Sequence, residues 1–319
     1  MTTTTDQSTA PAATSPVASR PGASVLRTLG VALAVVLVGY GAFQAVDFLS
    51  AGEGEEQLSF AAAPVVELVA DGAVTVRAGE AGTVEVRRSW REGIAPVAFS
   101  ARESSERLTV THDCSWFTNA CRAELEVTLP AETRVEIRSG SGRIEVTQVA
   151  ELVARTGSGS ITIDGVTGAV IARTGSGSVL ARNLGADAEL HTSSGSVEAE
   201  GVAGSLDAST GSGHVTVLEV GGEVLARSSS GRVEVREVGG KATVSTGSGE
   251  VLVAGVASHV DAHTSSGRAT VHGNGAPVAL DMSTSSGNQT IEAPTDPAAP
   301  ITVKIRSGSG NVAYLAPLD

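Results

Sequence analysis

A short phrase of Ser, Thr and Gly returns ten times between residues 139 and 310, as Ser-Gly-Ser-Gly, Thr-Gly-Ser-Gly or a form ending in Ser-Ser-Gly. Each copy is followed within two residues by an apolar or strand-forming stretch. Its last glycine falls at Gly142, Gly159, Gly177, Gly195, Gly213, Gly231, Gly249, Gly267, Gly287 and Gly310, in steps of 17, then 18 six times, then 20 and 23. A fixed period of this length marks a supersecondary unit stacked on copies of itself. The fold must therefore be read from the repeat before any isolated motif.

Superposing the chain at 18 residues gives the interior. One row holds Leu152, Val170, Ala188, Leu206, Val224, Ala242, Val260 and Val278, and two residues on runs Ala154, Ala172, Leu190, Ala208, Ala226, Val244 and Ala262. After the glycine turn the alternation resumes with Ile161, Val179, Val197, Val215, Val233 and Val251. A further row, Val166, Leu184, Val202, Val220, Val238 and Val256, sits at the second turn. Each unit reads as two short strands joined by two turns, with side chains alternately in and out. A meander of hairpins could use such a unit, but its turns would need no register with one another. The like-on-like turns favour a β-solenoid of about 18-residue coils. The residue two before each final glycine is itself Gly or Ser. The final glycine alone, at Gly142 through Gly267, is therefore expected to need positive φ.

The core must be made of Val, Ala, Leu and Ile, since no aromatic residue lies between Phe117 and Tyr314. A net charge of −13 excludes a general nucleic-acid binder, whose affinity rests on cations neutralising phosphates.

The segments before the repeat read differently. Residues 1–27, rich in Thr, Ser, Ala and Pro, are expected as a disordered cytoplasmic tail. Residues 28–46 carry no charge and are long enough to cross a bilayer as one helix. Arg20 and Arg27 before them, against Asp47, Glu53, Glu55 and Glu56 after, place the N-terminus in the cytoplasm and the remainder outside. A long cleaved signal peptide is the alternative, and either reading exports the repeats. Residues 47–59 read as an acidic linker, 60–136 as irregular strands and cap of the solenoid, 137–313 as regular coils, and 314–319 as the end. In an exported domain Cys114 and Cys121, seven positions apart, are expected to form a disulfide. The loop so closed carries Trp116 and Phe117, which would pack over the side or end of the stack.

The stretch Val127-Thr-Leu-Pro-Ala-Glu-Thr-Arg-Val-Glu-Ile-Arg-Ser-Gly-Ser-Gly142, followed by Thr-Gly-Ser-Gly-x-Val units, resembles the bacterial DUF4097 family of candidate adhesins with β-strand repeats. The resemblance covers about residues 60–315. It implies a β-solenoid outside a bacterial membrane, often in a single-pass protein, and it implies no defined chemistry.

The residues themselves point away from catalysis. Nucleophile-elbow, dinucleotide and phosphate-loop patterns are all incomplete, and ten equivalent Gly-Ser-Gly copies argue for a turn. No catalytic residue, metal site or cofactor is assigned; His259 and His263 with Asp261 between them read as solvated surface. What recurs is basic charge beside the glycine corner: Arg138, Arg155, Arg173 and Arg227 before it, Arg143, Arg232 and Arg268 after it. Acidic residues gather near the opposite turn, Asp187, Glu219, Glu223 and Glu237 among them. These arginines are the candidate ligand-binding residues, and an anionic cell-wall polymer or an envelope protein the expected partner, besides the membrane itself. The function expected is that of a non-enzymatic adhesion or polymer-binding module, the alternative a structural or envelope-stress component acting through protein contacts.

Overall fold

The computed structural model describes residues 22–318 except 81, 95 and 115–120. Trp116 and Phe117, expected over the stack, lie outside the described residues, as does the expected tail up to residue 21. A helix, α1 (Gly22–Leu49), leads into strands that form two long sheets, one of fourteen and one of thirteen members. Each coil gives one strand to each sheet. Neighbours along the repeat are parallel and in register at the period, Leu152 beside Val170, Val170 beside Ala188, Val179 beside Val197. This is an all-β solenoid of two facing sheets, and the four apolar rows fill the space between them; only Val278, expected to follow Val260, falls outside its row, which continues through Val303 and Leu280. Leu152, Ala172, Ile161 and Val233 are fully buried, as are their equivalents in nearly every coil.

The corner phrase has a role for each position. Its first residue, Thr or Ser, points inward and is buried at Thr156, Thr174, Thr192, Thr210, Ser228, Thr246 and Thr264. In Thr210 the hydroxyl donates to the Gly195 carbonyl of the preceding coil at 2.7 Å and accepts the N–H of Gly213 in its own turn at 3.1 Å. The same pair of bonds recurs at Thr156, Thr174 and Thr192. One hydroxyl thus satisfies two backbone groups that a tight turn would otherwise bury unpaired.

The last glycine lies flat on the last glycine of the coil before it. A β-carbon at Gly213 would overlap the carbonyl oxygen of Gly195. This replaces the expectation of positive φ at the corner. Within the phrase only Gly267, Gly287 and Gly310 have φ in the positive range, near the extended limit, at 148° to 158°. Close stacking of backbone on backbone is what excludes a side chain there. Left-handed residues occur instead at the second turn, in one row: Gln148, Gly165, Asn183, Gly201, Glu219, Glu237 and Gly255, with φ between 54° and 71°. In strand Val197–Val202 both Glu200 and Gly201 point away from the core, and the left-handed residue swings Val202 back into it. It acts as a bulge built into these seven consecutive coils.

The stack departs from chain order at both ends. The coil of strands Val65–Ala70 and Val74–Gly79 lies between that of Arg107–Asp113 and Arg122–Pro130 and that of Arg134–Ser139 and Ile144–Thr147. At the other end, the coil of Thr302–Ser309 and Val312–Leu315 is inserted between Val260–Ser266 with Ala269–His272 and Ala279–Ser286 with Gln289–Ile291. The steps of 20 and 23 residues are the extra chain this detour needs. Residues 60–136 therefore hold two full coils, closed by antiparallel strands Gly52–Ala61, Thr83–Glu92 and Ala98–Glu103. The expected acidic linker is largely the first of these strands.

Side chains of α1 are described mostly from Leu33 on, and among the described residues no helix is long and apolar enough to cross a membrane. The helix is joined to the first strands by its last turn. Asp47 is buried and its Oδ1 accepts the Ile94 N–H at 2.8 Å, while the Arg91 guanidinium lies 5.0 Å from the Phe48 ring centroid.

The corner account is tested at Thr210. Replacement by Val, which keeps the shape and removes the hydroxyl, leaves two buried backbone groups unpaired and is expected to cost about 1–3 kcal/mol in urea unfolding. Replacement by Ser, which occupies this position in Ser228, is expected to cost clearly less. Equal losses would refute the hydroxyl's role.

Candidate binding surface

The strand Glu151–Thr156 alternates, with Leu152, Ala154 and Thr156 inward and Arg155 outward. Because the coils are in register, Arg155 stands directly beside Arg138 on one side and Arg173 on the other. Three guanidinium groups thus occupy adjacent strands, about 4.8 Å apart at their backbones. The row continues through His191 and Ser209 to Arg227, three coils beyond Arg173, and then through Ser245 and His263 to Arg306.

Like charges side by side on one face repel. The outward row two residues earlier offsets this with carboxylates in some coils and not in others. Arg138 pairs with Glu67 at 3.3 Å, Arg173 with Glu189 at 2.5 Å, Arg227 with Asp207 at 4.0 Å and Arg306 with Asp281 at 2.9 Å. These pairs are half exposed, worth at most about 1 kcal/mol each, and an incoming anion can exchange with them. At Arg155 the equivalent positions in its own and the next strand are Val153 and Ile171, and Glu136 of the preceding strand is taken up by Arg107 at 3.2 Å and Arg134 at 3.3 Å. Arg155 makes no ion pair with the described residues, so its charge is the least compensated of the row.

The seven candidate arginines do not form one site. Arg143, Arg232 and Arg268 lie beyond the corner, before the strands of the other sheet. There Arg143 pairs with Glu145 at 3.5 Å and Arg232 with Glu250 at 2.7 Å. On the corner side the arginines are thus interleaved with carboxylates, and the three that stand in consecutive coils are Arg138, Arg155 and Arg173.

A second cluster lies at the closed end and had no signal in the repeat. Cys114 and Cys121 are bridged, S–S 2.02 Å, and the Cys114 N–H donates to Asp71 at 2.9 Å. The Asp113 carboxyl is pushed up by its hydrogen bond with Asp71 and then by burial. Arg88, ion-paired with Glu56, is sandwiched 4.3 Å from the Trp90 ring and 4.1 Å from Phe99. The edges of both rings meet His112, which is fully buried. Burial first, and then the Arg88 charge, lower the His112 pKa to about 4; the nearby Glu124 backbone opposes this, but neither ring nitrogen reaches normal hydrogen-bonding geometry. With the cation already inside its aromatic walls, the cluster is a closed plug, not a receptor. An open cleft of about 430 Å³ beside it is lined by Glu53, Glu55, Trp90, Arg91, Arg122 and Glu124, of mixed charge. No group of three metal-ligating side chains occurs among the described residues, and His259 instead accepts the Thr302 N–H at 3.0 Å.

A two-sheet parallel solenoid with a glycine-stacked corner defines the class. The chain belongs to the DUF4097 family, whose model, described as Toastrack, matches residues 67–242. Among solved structures it is similar to a candidate adhesin from Bacteroides fragilis, at 11% identity over 82% of this chain and 97% of that one, TM-score 0.34. It is also similar to a candidate lipid-binding protein from Parabacteroides distasonis, at 11% identity over 82% and 96%, TM-score 0.37. A candidate adhesin from the same organism matches at 12% over 83% and 97%, TM-score 0.34. No curated protein matches by sequence.

The plug makes stability depend on pH. His112 is neutral when folded, with its pKa below the ordinary 6.5, so the unfolded chain binds the extra proton between pH 6.5 and 4. Stability is full above 6.5 and falls as pH drops toward 4, by about 3 kcal/mol at most. His112→Phe is expected to flatten this part of the melting-temperature profile; an unchanged slope would show that other groups cause it.

Proposed function

We propose that this chain is a membrane-anchored, non-enzymatic binding module whose solenoid stands outside the cytoplasmic membrane and holds an anionic polymer along the Arg138–Arg155–Arg173 row. The observation that carries the reading is the register that sets three arginines in consecutive coils, with Arg155 making no ion pair among the described residues. A repeating row suits a repeating ligand. Each guanidinium can grip a phosphate or carboxylate through two N–H groups, and weak contacts along one chain add through effective concentration. Support for the anchor comes from the uncharged run 28–46 inside α1 and the charge asymmetry around it. The disulfide supports an oxidising compartment.

The polymer is tested with full-length protein in detergent, applied to immobilised phosphate-bearing wall glycan. Retention is expected at low salt, to fall steeply as salt rises, and to drop roughly tenfold for the triple change Arg138→Ser, Arg155→Ser, Arg173→Ser, all surface positions. Wild type that is not retained at low salt, or a triple variant retained equally, would remove the polymer reading. The anchor is tested separately. On cell fractionation the intact chain should stay with the membrane, with added protease reaching the repeats only from outside. A soluble product cleaved near residue 50 would show a signal peptide instead.

A further inference from the structure

Every inward row is covered on both sides by a neighbouring coil until the last. Strands Ala279–Ser286 and Gln289–Ile291 end their sheets. Gln289 and Ile291 stand in register with Val312 and Tyr314, which are fully buried, yet both are exposed, Ile291 by 54%. Leu280 and Met282, which continue the rows of Val303 and Ile305, are half covered. The 292–301 loop crosses only the start of this edge: Ala293 is buried and the Asp296 N–H donates to the Val278 carbonyl at 2.9 Å. Ala279 donates to Ile301 on the inner side. By alternation, Leu280, Met282 and Thr284 turn their N–H and C=O groups to the open side.

Such an edge is a template for another strand, and soluble proteins guard edges with charge, proline or a bulge. None of these guards Ala279–Ser286. Its one charge, Asp281, is paired with Arg306 of the coil beneath, and Gln289–Ile291 carries none. At the opposite end the outermost strand, Gly52–Ala61, bears Glu53, Glu55 and Glu56. In a chain of net charge −13, the strands of the last coil carry a single charge, Asp281, already paired, while Glu292 and Asp296 lie in the loop beyond them, so two copies can meet along Ala279–Ser286 without opposing carboxylates.

We propose that the last coil is a self-association surface, at which two copies join end to end by antiparallel pairing of Ala279–Ser286 with the same strand of the second copy. A two-fold axis at Met282 sets Leu280 opposite Thr284 and Asp281 opposite Ser283. This keeps the apolar residues on the core side and opposes no like charges. Met282 then faces Met282 in a pair that exchanges both backbone hydrogen bonds. The antiparallel strands at the other end block continued stacking, so the product is a closed dimer and not a fibre. The contact is one coil wide, smaller than the ~800 Å² per partner of a standard interface, so pairing should be weak and concentration-dependent. Its direction rests on the anchored reading: α1 joins the stack at the closed end, so the pairing ends point away from the bilayer and would link facing membranes.

Full-length protein in detergent is followed by sedimentation across a concentration series, with its native cysteines left bridged. Wild type is expected to shift from monomer to dimer mass as concentration rises. Ser283→Asp, an exposed change that opposes Asp281 of the second copy, is expected to weaken the dimer about tenfold without altering the melting temperature. Met282→Cys should give a covalent dimer on oxidation, since paired residues there are within disulfide reach, while Ser209→Cys in mid-stack should not. Wild type that stays monomeric to about 100 μM with no Met282→Cys cross-link overturns the proposal, and so does a dimer indifferent to Ser283→Asp, which would place the contact in α1 or elsewhere. None of these outcomes depends on where the chain resides, which fractionation decides independently.

Discussion

The stacked corner is the constraint on which the rest of the molecule depends. Backbone lies on backbone at each last glycine, and the buried hydroxyl three residues earlier joins that turn to the one below. A coil shifted by one residue would place Thr210 outside and turn its apolar row to water, since strand side chains alternate with a period of two. The corner thus fixes the register, and the register makes rows of everything else. The left-handed residue at the second turn does the complementary work, because without it Val202 and its equivalents would face outward. A core poor in aromatics is enough here, since stacking small side chains at a constant step leaves few gaps to fill.

The surface inherits the same order. A residue type repeated every 18 positions becomes a line of charges at strand spacing, so the chemistry of the outer face is set by short substitutions in one coil after another. Arg155 beside Val153 and Ile171 is such a local break in an otherwise interleaved pattern of Arg and Glu. Family membership gives the scaffold, and the proposed contact with an anionic polymer is argued from the register and not from the relatives.

The two ends show how a repeat is stopped. One is closed by antiparallel strands, by the disulfide beside Asp71 and by Arg88 held between Trp90 and Phe99 above His112. The other is closed only at its start, by the 292–301 loop. Among the described residues of the stack, Phe60, Trp90 and Phe99 are gathered at the first end, where surfaces of different shape must be fitted together.

The sequence by itself determined the period, the inward rows and the all-β class, because a residue's burial in a solenoid depends only on its place in the unit. It also held the hydroxyl row in plain view, at Thr156 through Thr264, but its inward direction was hidden: a Thr beside Gly and Ser reads as turn surface until the neighbouring coil is in place. The parallel register alone decided that Arg138, Arg155 and Arg173 are neighbours and that Arg143, Arg232 and Arg268 belong elsewhere. The order of the coils at the ends was likewise beyond reach. The 18-residue step leads to Val278, yet Leu280 stands beside Val303, and only the pairing of Thr302–Ser309 between its two neighbours settles which coil is last.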